Sequence, residues 1–153
     1  MAAGDSATIE LDGHRLALTH LRKVLYPATG TTKSDIIAYF AEVAHAMIPH
    51  LADRPVTRKR WPDGVSTTPF FHKDLPKGTP SWVSRRMIQH SDGPKAYPVV
   101  DSPATLAWLG QIAALELHVP QWRIAQAAGP TGTPAAPDRL PDRRQPEHRR
   151  APR

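Results

Sequence analysis

The chain has 153 residues and a formal net charge of +6; the length sets one domain as the expectation, and the charge favours a polyanionic partner, because lysines and arginines that neutralise phosphates release counterions. It has no cysteine, which excludes disulfides, thiolate metal sites and cysteine nucleophiles and fits a reducing cytoplasm. Residues 1–20 carry Asp5, Glu10 and Asp12 without an apolar run, so no export signal is expected, and the most apolar stretch, Ala104 to Val119, is interrupted by Gln111 and Glu116 and falls short of the roughly 20 residues of a membrane span.

Ile9 to Leu11 and Arg15 to Leu18 flank Asp12-Gly13, which predicts a hairpin with an Asp-Gly turn. Tyr26-Pro27 to Gly30 reads as a loop. Thr32 with Asp35 three residues on is a capping box, and Ile36, Ile37, Phe40, Val43, Ala44, Met47 and Ile48 then recur at helical spacing. Pro49 and Asp53-Arg54-Pro55 are expected to end that helix. Val56 to Trp61 predicts a strand, Pro62-Asp63-Gly64 a turn, and Phe70 to Lys73 a second strand. Residues 74–96, rich in Pro, Gly and Ser, read as mostly irregular. Tyr97 to Val100 predicts a third strand. Asp101 or Ser102 caps a second helix with Pro103 in its first turn, expected to run to about His118, before Pro120. The mixture gives an α/β or α+β class over residues 1–128.

Composition changes at Gly129. Residues 129–153 lack aromatics, and proline and arginine recur throughout. Such a segment cannot bury enough apolar surface to offset the entropy of ordering, so a disordered tail is expected over 129–153.

Three features point to nucleic acid. Lys23 and Lys33 flank the Tyr26–Gly30 loop, and Lys33 falls in the first turn of the capped helix, where the helix dipole disfavours a cation unless an anion compensates it; phosphate ligand and ordinary exposed lysine are both open. Arg58-Lys59-Arg60-Trp61 places cations beside an aromatic, with Arg58 and Arg60 on one strand face and Lys59 and Trp61 on the other. Phe70 and Phe71 follow on opposite strand faces; one in the core with one exposed, and both in the core, are both open. Cations interleaved with aromatics suit single-stranded nucleic acid, charges holding phosphates and rings stacking on bases. His118, at the expected helix end, reads as a structural group, with Glu116 on another helix face so that the two make no dyad. No Asp-x-Asp pair occurs; Asp138 and Asp142 lie in the tail.

Leu21-Arg22-Lys23-Val24-Leu25-Tyr26-Pro27, Gly30 to Asp35, Arg54 to Val65, Phe70-Phe71-His72-Lys73, Pro80-Ser81-Trp82-Val83, Tyr97 to Ser102 and Leu106 to Pro120 together resemble the front part of the polymerase domain of bacterial DNA ligase D, in the archaeo-eukaryotic primase superfamily. The resemblance implies a primase-like polymerase of nonhomologous end joining, working with the Ku protein, preferring ribonucleotides and using manganese or magnesium with nucleoside triphosphate. It implies that His20, Lys23 and Lys33, with Lys59 contributing, hold a DNA 5′-phosphate. Phe70 and Phe71 would meet the template base, and His118 would line the nucleotide side.

In the family, a segment like Pro137 to Leu140 runs into a strand bearing Asp-Leu-Asp; here Pro141 to Arg153 stands in its place. The expectation is therefore a DNA-end-binding piece of such a polymerase that lacks its metal site and is inactive alone. The alternatives are a truncated or frameshifted fragment without independent function, and a nucleotidyltransferase active only when completed by further segments.

Overall fold

The computed structural model describes residues 4–127, so the expected tail, with Asp138 and Asp142, lies outside the described residues. Strands β1 (Ser6–Leu11) and β2 (His14–Thr19) form the first hairpin, with Leu11 opposite His14. Asp12 and Gly13 between them take φ of 52° and 73°, the two positive angles that match the twist of paired strands and that Asp-Gly tolerates well. Short strands β3 (Val24–Tyr26) and β4 (Thr31–Thr32) pair around the Pro27–Gly30 loop and deliver the chain into α1 (Lys33–Leu51).

Helix α1 starts where its capping box dictates. The Thr32 hydroxyl accepts from the Asp35 amide at 3.4 Å, and the Asp35 carboxylate accepts from the Thr32 amide at 2.8 Å. That backbone bond and a second from the Thr32 hydroxyl hold the Asp35 carboxyl below the usual range, so the box is intact at neutral pH and weakens as acid protonates Asp35. Thr32→Ala should lower stability by about 1 kcal/mol, read as a shifted midpoint at unchanged slope in urea unfolding. Pro49 does not end the helix, which continues to Leu51.

The buried residues of α1 are Lys33, Ile37, Phe40, Ala44 and Leu51, a single stripe at spacings of three, four and seven. The stripe packs on α2 (Pro103–Gln111), whose residues from Ala104 to Gly110 are all buried. Ser102 caps α2 through the Thr105 amide at 3.3 Å, with Pro103 at its start. The core of these helices is completed by Leu16 and Leu18 of β2, Val56, Val83 and Val100.

Two expectations fail here. Helix α2 stops at Gln111, and β9 (Ala114–His118) follows it as a strand. Ala113 makes the break, at φ 55°, with its amide bonded back to Gly110 at 2.9 Å; an alanine occupies the left-handed position usually given to glycine. Residues 74–84 carry no strand or helix, as expected of that stretch, but β7 (Arg85–His90) and β8 (Gly93–Pro98) form a hairpin closed by Ser91-Asp92 that was not expected.

Strands β5 (Thr57–Arg60) and β6 (Phe70–His72) join β9 in an antiparallel sheet of order β6-β5-β9. Every ladder among the described residues is antiparallel, so the mixed class resolves toward α+β. A short α3 (Ile124–Ala127) closes the described chain, its first amide bonded to the Asp53 carbonyl at 2.8 Å. No described helix is long and apolar enough to cross a membrane.

Candidate nucleic-acid interface

Lys33 shares the stripe of Ile37, Phe40 and Ala44, so the helix that buries those residues buries Lys33 too, leaving it 7% exposed. Its Nζ donates to the Thr19 carbonyl at 3.1 Å and pairs with no carboxylate among the described residues. Thr19 is held from the other side by Gln111 at the end of α2, which accepts from the Thr19 amide at 3.0 Å and donates to its hydroxyl at 2.8 Å. His20 follows at φ 54°, and Lys23 is fixed by backbone bonds to His20 and Lys33. His20, Lys23, Lys33, Arg60 and Gln111 thereby line one cavity of about 180 Å³. Burial first, then Lys23, push the Lys33 ammonium below its ordinary pKa; Asp5 pulls the other way, and Arg60 adds a weaker push down. Among the described residues, Lys23 is the cavity cation with an ion-paired acidic partner, Asp63 at 2.7 Å on the surface.

Arg60, read in the sequence only as part of the Arg58–Trp61 cation run, joins this cavity, as does Gln111. Arg60 Nε donates to the Ile112 carbonyl at 2.6 Å and its Nη1 to His72 Nδ1 at 3.3 Å. Burial first, then Arg60 and Arg58, lower the His72 pKa, which suits a neutral ring accepting at Nδ1. Strand alternation was the available signal, because it sends Arg60 away from Lys59. Lys59, grouped with the phosphate ligands by resemblance, does not line this cavity.

Lys59 belongs to the sheet instead. Across β6-β5-β9, Phe71, Lys59 and Glu116 form one row. Lys59 Nζ sits 4.8 Å from the centre of the Trp61 ring and 5.4 Å from that of Phe71, within the range of cation–π attraction. The Phe71 and His118 rings meet edge to face at 6.0 Å. Phe71 is 62% exposed and Phe70 53%, so neither is core. Among the described residues both stand on the strand at one edge of this sheet, on opposite faces of the pleat. Phe70 approaches His72, with ring centres 6.3 Å apart.

The strand character of β9 overturns the reading of His118 and Glu116. Two residues apart on a strand, they share a face, and His118 Nε2 donates to Glu116 Oε2 at 2.9 Å. Arg58 departs from expectation in the other direction. It is fully buried, donating through Nη2 to the Asp74 carbonyl while Nε and Nη1 have no partner among the described residues. Burial, and secondarily Arg60, bring its pKa down to about 10; it offers no surface charge to a phosphate.

Among the described residues, no group of three or more His, Cys, Asp or Glu converges. Glu116 and His118 are two donors, and the glutamate is already committed to Lys59 at 3.2 Å. These residues do not fit a two-metal centre, which needs several carboxylates around ions about 4 Å apart.

His20, Lys23, Lys33 and Arg60 thus gather cations at one cavity, and Lys59, Trp61 and Phe71 gather a cation and rings on the other face of β5. The family is given by comparison: residues 32–141 match the model of the LigD primase-polymerase domain, and the chain belongs to that family. It is 55% identical over 115 residues to the multifunctional non-homologous end joining DNA repair protein LigD of Mycobacterium tuberculosis, covering 75% of this chain and 15% of that protein. The bifunctional non-homologous end joining protein LigD of Bacillus subtilis is 36% identical over 106 residues, covering 69% of this chain and 17% of the relative. Among solved structures, the polymerase domain from Mycobacterium tuberculosis ligase D in complex with DNA is similar with a TM-score of 0.69 and 57% identity, over 71% of this chain and 38% of that one. The chain thus spans about 15% of the length of the mycobacterial relative and under half of the solved domain.

Proposed function

We propose that this chain binds DNA ends in end-joining repair, holding a recessed 5′-phosphate in the cavity of His20, Lys23, Lys33 and Arg60 and an unpaired template base on Phe71, with Phe70 on the opposite side of the same strand. The observation that carries the reading is Lys33: a nearly buried side chain that forms no ion pair with a carboxylate among the described residues and opens into a cavity with further cations. A buried charge is costly unless a counter-charge repays it, and a phosphate supplies one. The DNA in the similar solved complex and the net charge of +6 support the same reading.

In this reading, divalent metal and nucleoside triphosphate are held by family segments beyond residues 4–127, with His118 facing the nucleotide, and Ku is a partner of the whole protein. The test is binding of the purified protein to a gapped duplex with and without the 5′-phosphate, at two salt concentrations. A phosphate-dependent gain that survives the higher salt is expected. Phosphate-blind binding that vanishes with salt would leave only a basic surface.

A further inference from the structure

We propose that Glu116 is a positioning residue of the base-stacking face, fixing Lys59 against Trp61 and Phe71 and fixing His118 against Phe71, so that an unpaired base meets side chains already in place. The inference rests on the reading of Phe71 as the base platform.

Each oxygen of the Glu116 carboxylate has its own partner. Oε1 takes Lys59 at 3.2 Å across the β5–β9 ladder, and Oε2 takes His118 at 2.9 Å along the strand. Both partners touch the Phe71 ring, Lys59 at 5.4 Å and His118 at 6.0 Å. Phe71 itself is 62% exposed, so these two contacts are among those that can order it. The ladder steps from Lys59 opposite Glu116 to Arg60 opposite Ala114, leaving Leu115 unpaired; such a bulge re-aims the side chains beside it. The two bonds lower the Glu116 pKa, the His118 bond most and the Lys59 bond next, which keeps the carboxylate charged and accepting at neutral pH.

A carboxylate on a surface for a polyanion repels the ligand, so its charge alone would weaken binding. Its geometry does the reverse. Without it, a long lysine side chain regains rotamer freedom that binding must remove again. Charge and positioning therefore predict opposite signs for the same substitution.

The experiment compares Glu116→Ala and Glu116→Gln with the unsubstituted protein on a blunt duplex and on a duplex with a single-stranded 3′ overhang, both 5′-phosphorylated. The quantity read is the overhang gain, the ratio of the two affinities. The unsubstituted protein should show a gain, and Glu116→Ala should lower it by about fivefold, a fraction of the stacking energy of one base. Blunt-duplex affinity should hold or rise slightly as a negative charge is lost. Glu116→Gln loses the same charge but keeps an acceptor oxygen at the same reach, so it should restore part of the gain. An unchanged gain in Glu116→Ala, or an equal loss in both variants, overturns the proposal. Absence of any overhang gain in the unsubstituted protein brings down the base-platform reading itself, and the proposal with it. An unchanged 5′-phosphate preference serves as the control for folding, because that cavity does not include Glu116.

Discussion

Lys33→Ala is expected to abolish the preference for a 5′-phosphorylated gap, a loss of about 1.5–3 kcal/mol for a hydrogen bond to a charged group, or roughly 10- to 150-fold in affinity. The measurement is the ratio of dissociation constants for phosphorylated and dephosphorylated duplexes, which should fall to one. Lys33→Met separates charge from packing, since the methionine chain follows the same stripe on α1 beside Ile37 and Phe40. It should lose the preference as fully as the alanine does while keeping the fold at least as stable. A preference that survives in Lys33→Met would mean that the phosphate is held elsewhere.

The same residue sets a pH signature. Burial and the neighbouring cations lower the pKa of Lys33 below 10.5 in the folded chain. Between that lowered value and 10.5 the unfolded chain binds more protons than the native one, so this residue's contribution makes stability rise with pH across that window. At neutral pH the cost of burying the charge is present in full. Bound phosphate favours the charged form and opposes the shift, so the phosphate preference should fade as pH rises through the lowered pKa, earlier than an exposed lysine would dictate. Lys33→Met should remove both trends.

What local rules could reach was legible from the residues. The Asp-Gly turn, the Thr32–Asp35 box and the Ser102-Pro103 start each rest on a contact within a few positions, and all three are present. The burial of Lys33 was within reach too, because it lies four, seven and eleven residues before Ile37, Phe40 and Ala44 on one face. The missed boundaries lack their usual punctuation. The glycine near the end of α2, Gly110, lies inside the helix instead of at its left-handed stop, and Ala113 takes that angle, its amide bonded back to Gly110 and Ala114 pairing onward with Arg60. Only the alternation Leu115-Glu116-Leu117-His118 hinted at a strand. In the β7–β8 hairpin, the arginines of Arg85-Arg86 and the proline of Pro94 obscured the pattern, although Ile88 and Tyr97 are buried and Asp92-Gly93 marks the turn. The aromatic face is a tertiary product. It exists because residue 57 pairs with residue 118 and residue 59 with both 71 and 116, partners that no local spacing can supply.

Gly110→Val should cost the protein stability near the upper end of about 1–3 kcal/mol, the range for overpacking a close contact, and should weaken the phosphate preference with it. A Cβ at Gly110 would stand 3.1 Å from Ile37 Cγ1 and 3.3 Å from both Ile37 Cα and Phe40 Cδ2. The Ile37 Cα belongs to the backbone of α1 and cannot turn aside, so the two helices must separate to admit even a methyl group, and valine adds two more carbons. That separation acts on the site, because the residue after Gly110 is Gln111, whose side-chain amide holds Thr19, and Thr19 in turn receives Lys33. Lys33 and Gln111 sit on the two helices that the contact joins, so a shift between them changes the cavity directly. Urea unfolding should show a lower midpoint at the same slope, and gapped-duplex binding should show a reduced preference at temperatures where the variant is fully folded. Gly110→Ala should follow in the same direction by a smaller amount. A valine variant that lost stability but kept the full phosphate preference would show that the cavity is held by the β2–β3 turn alone, without help from the helix pair.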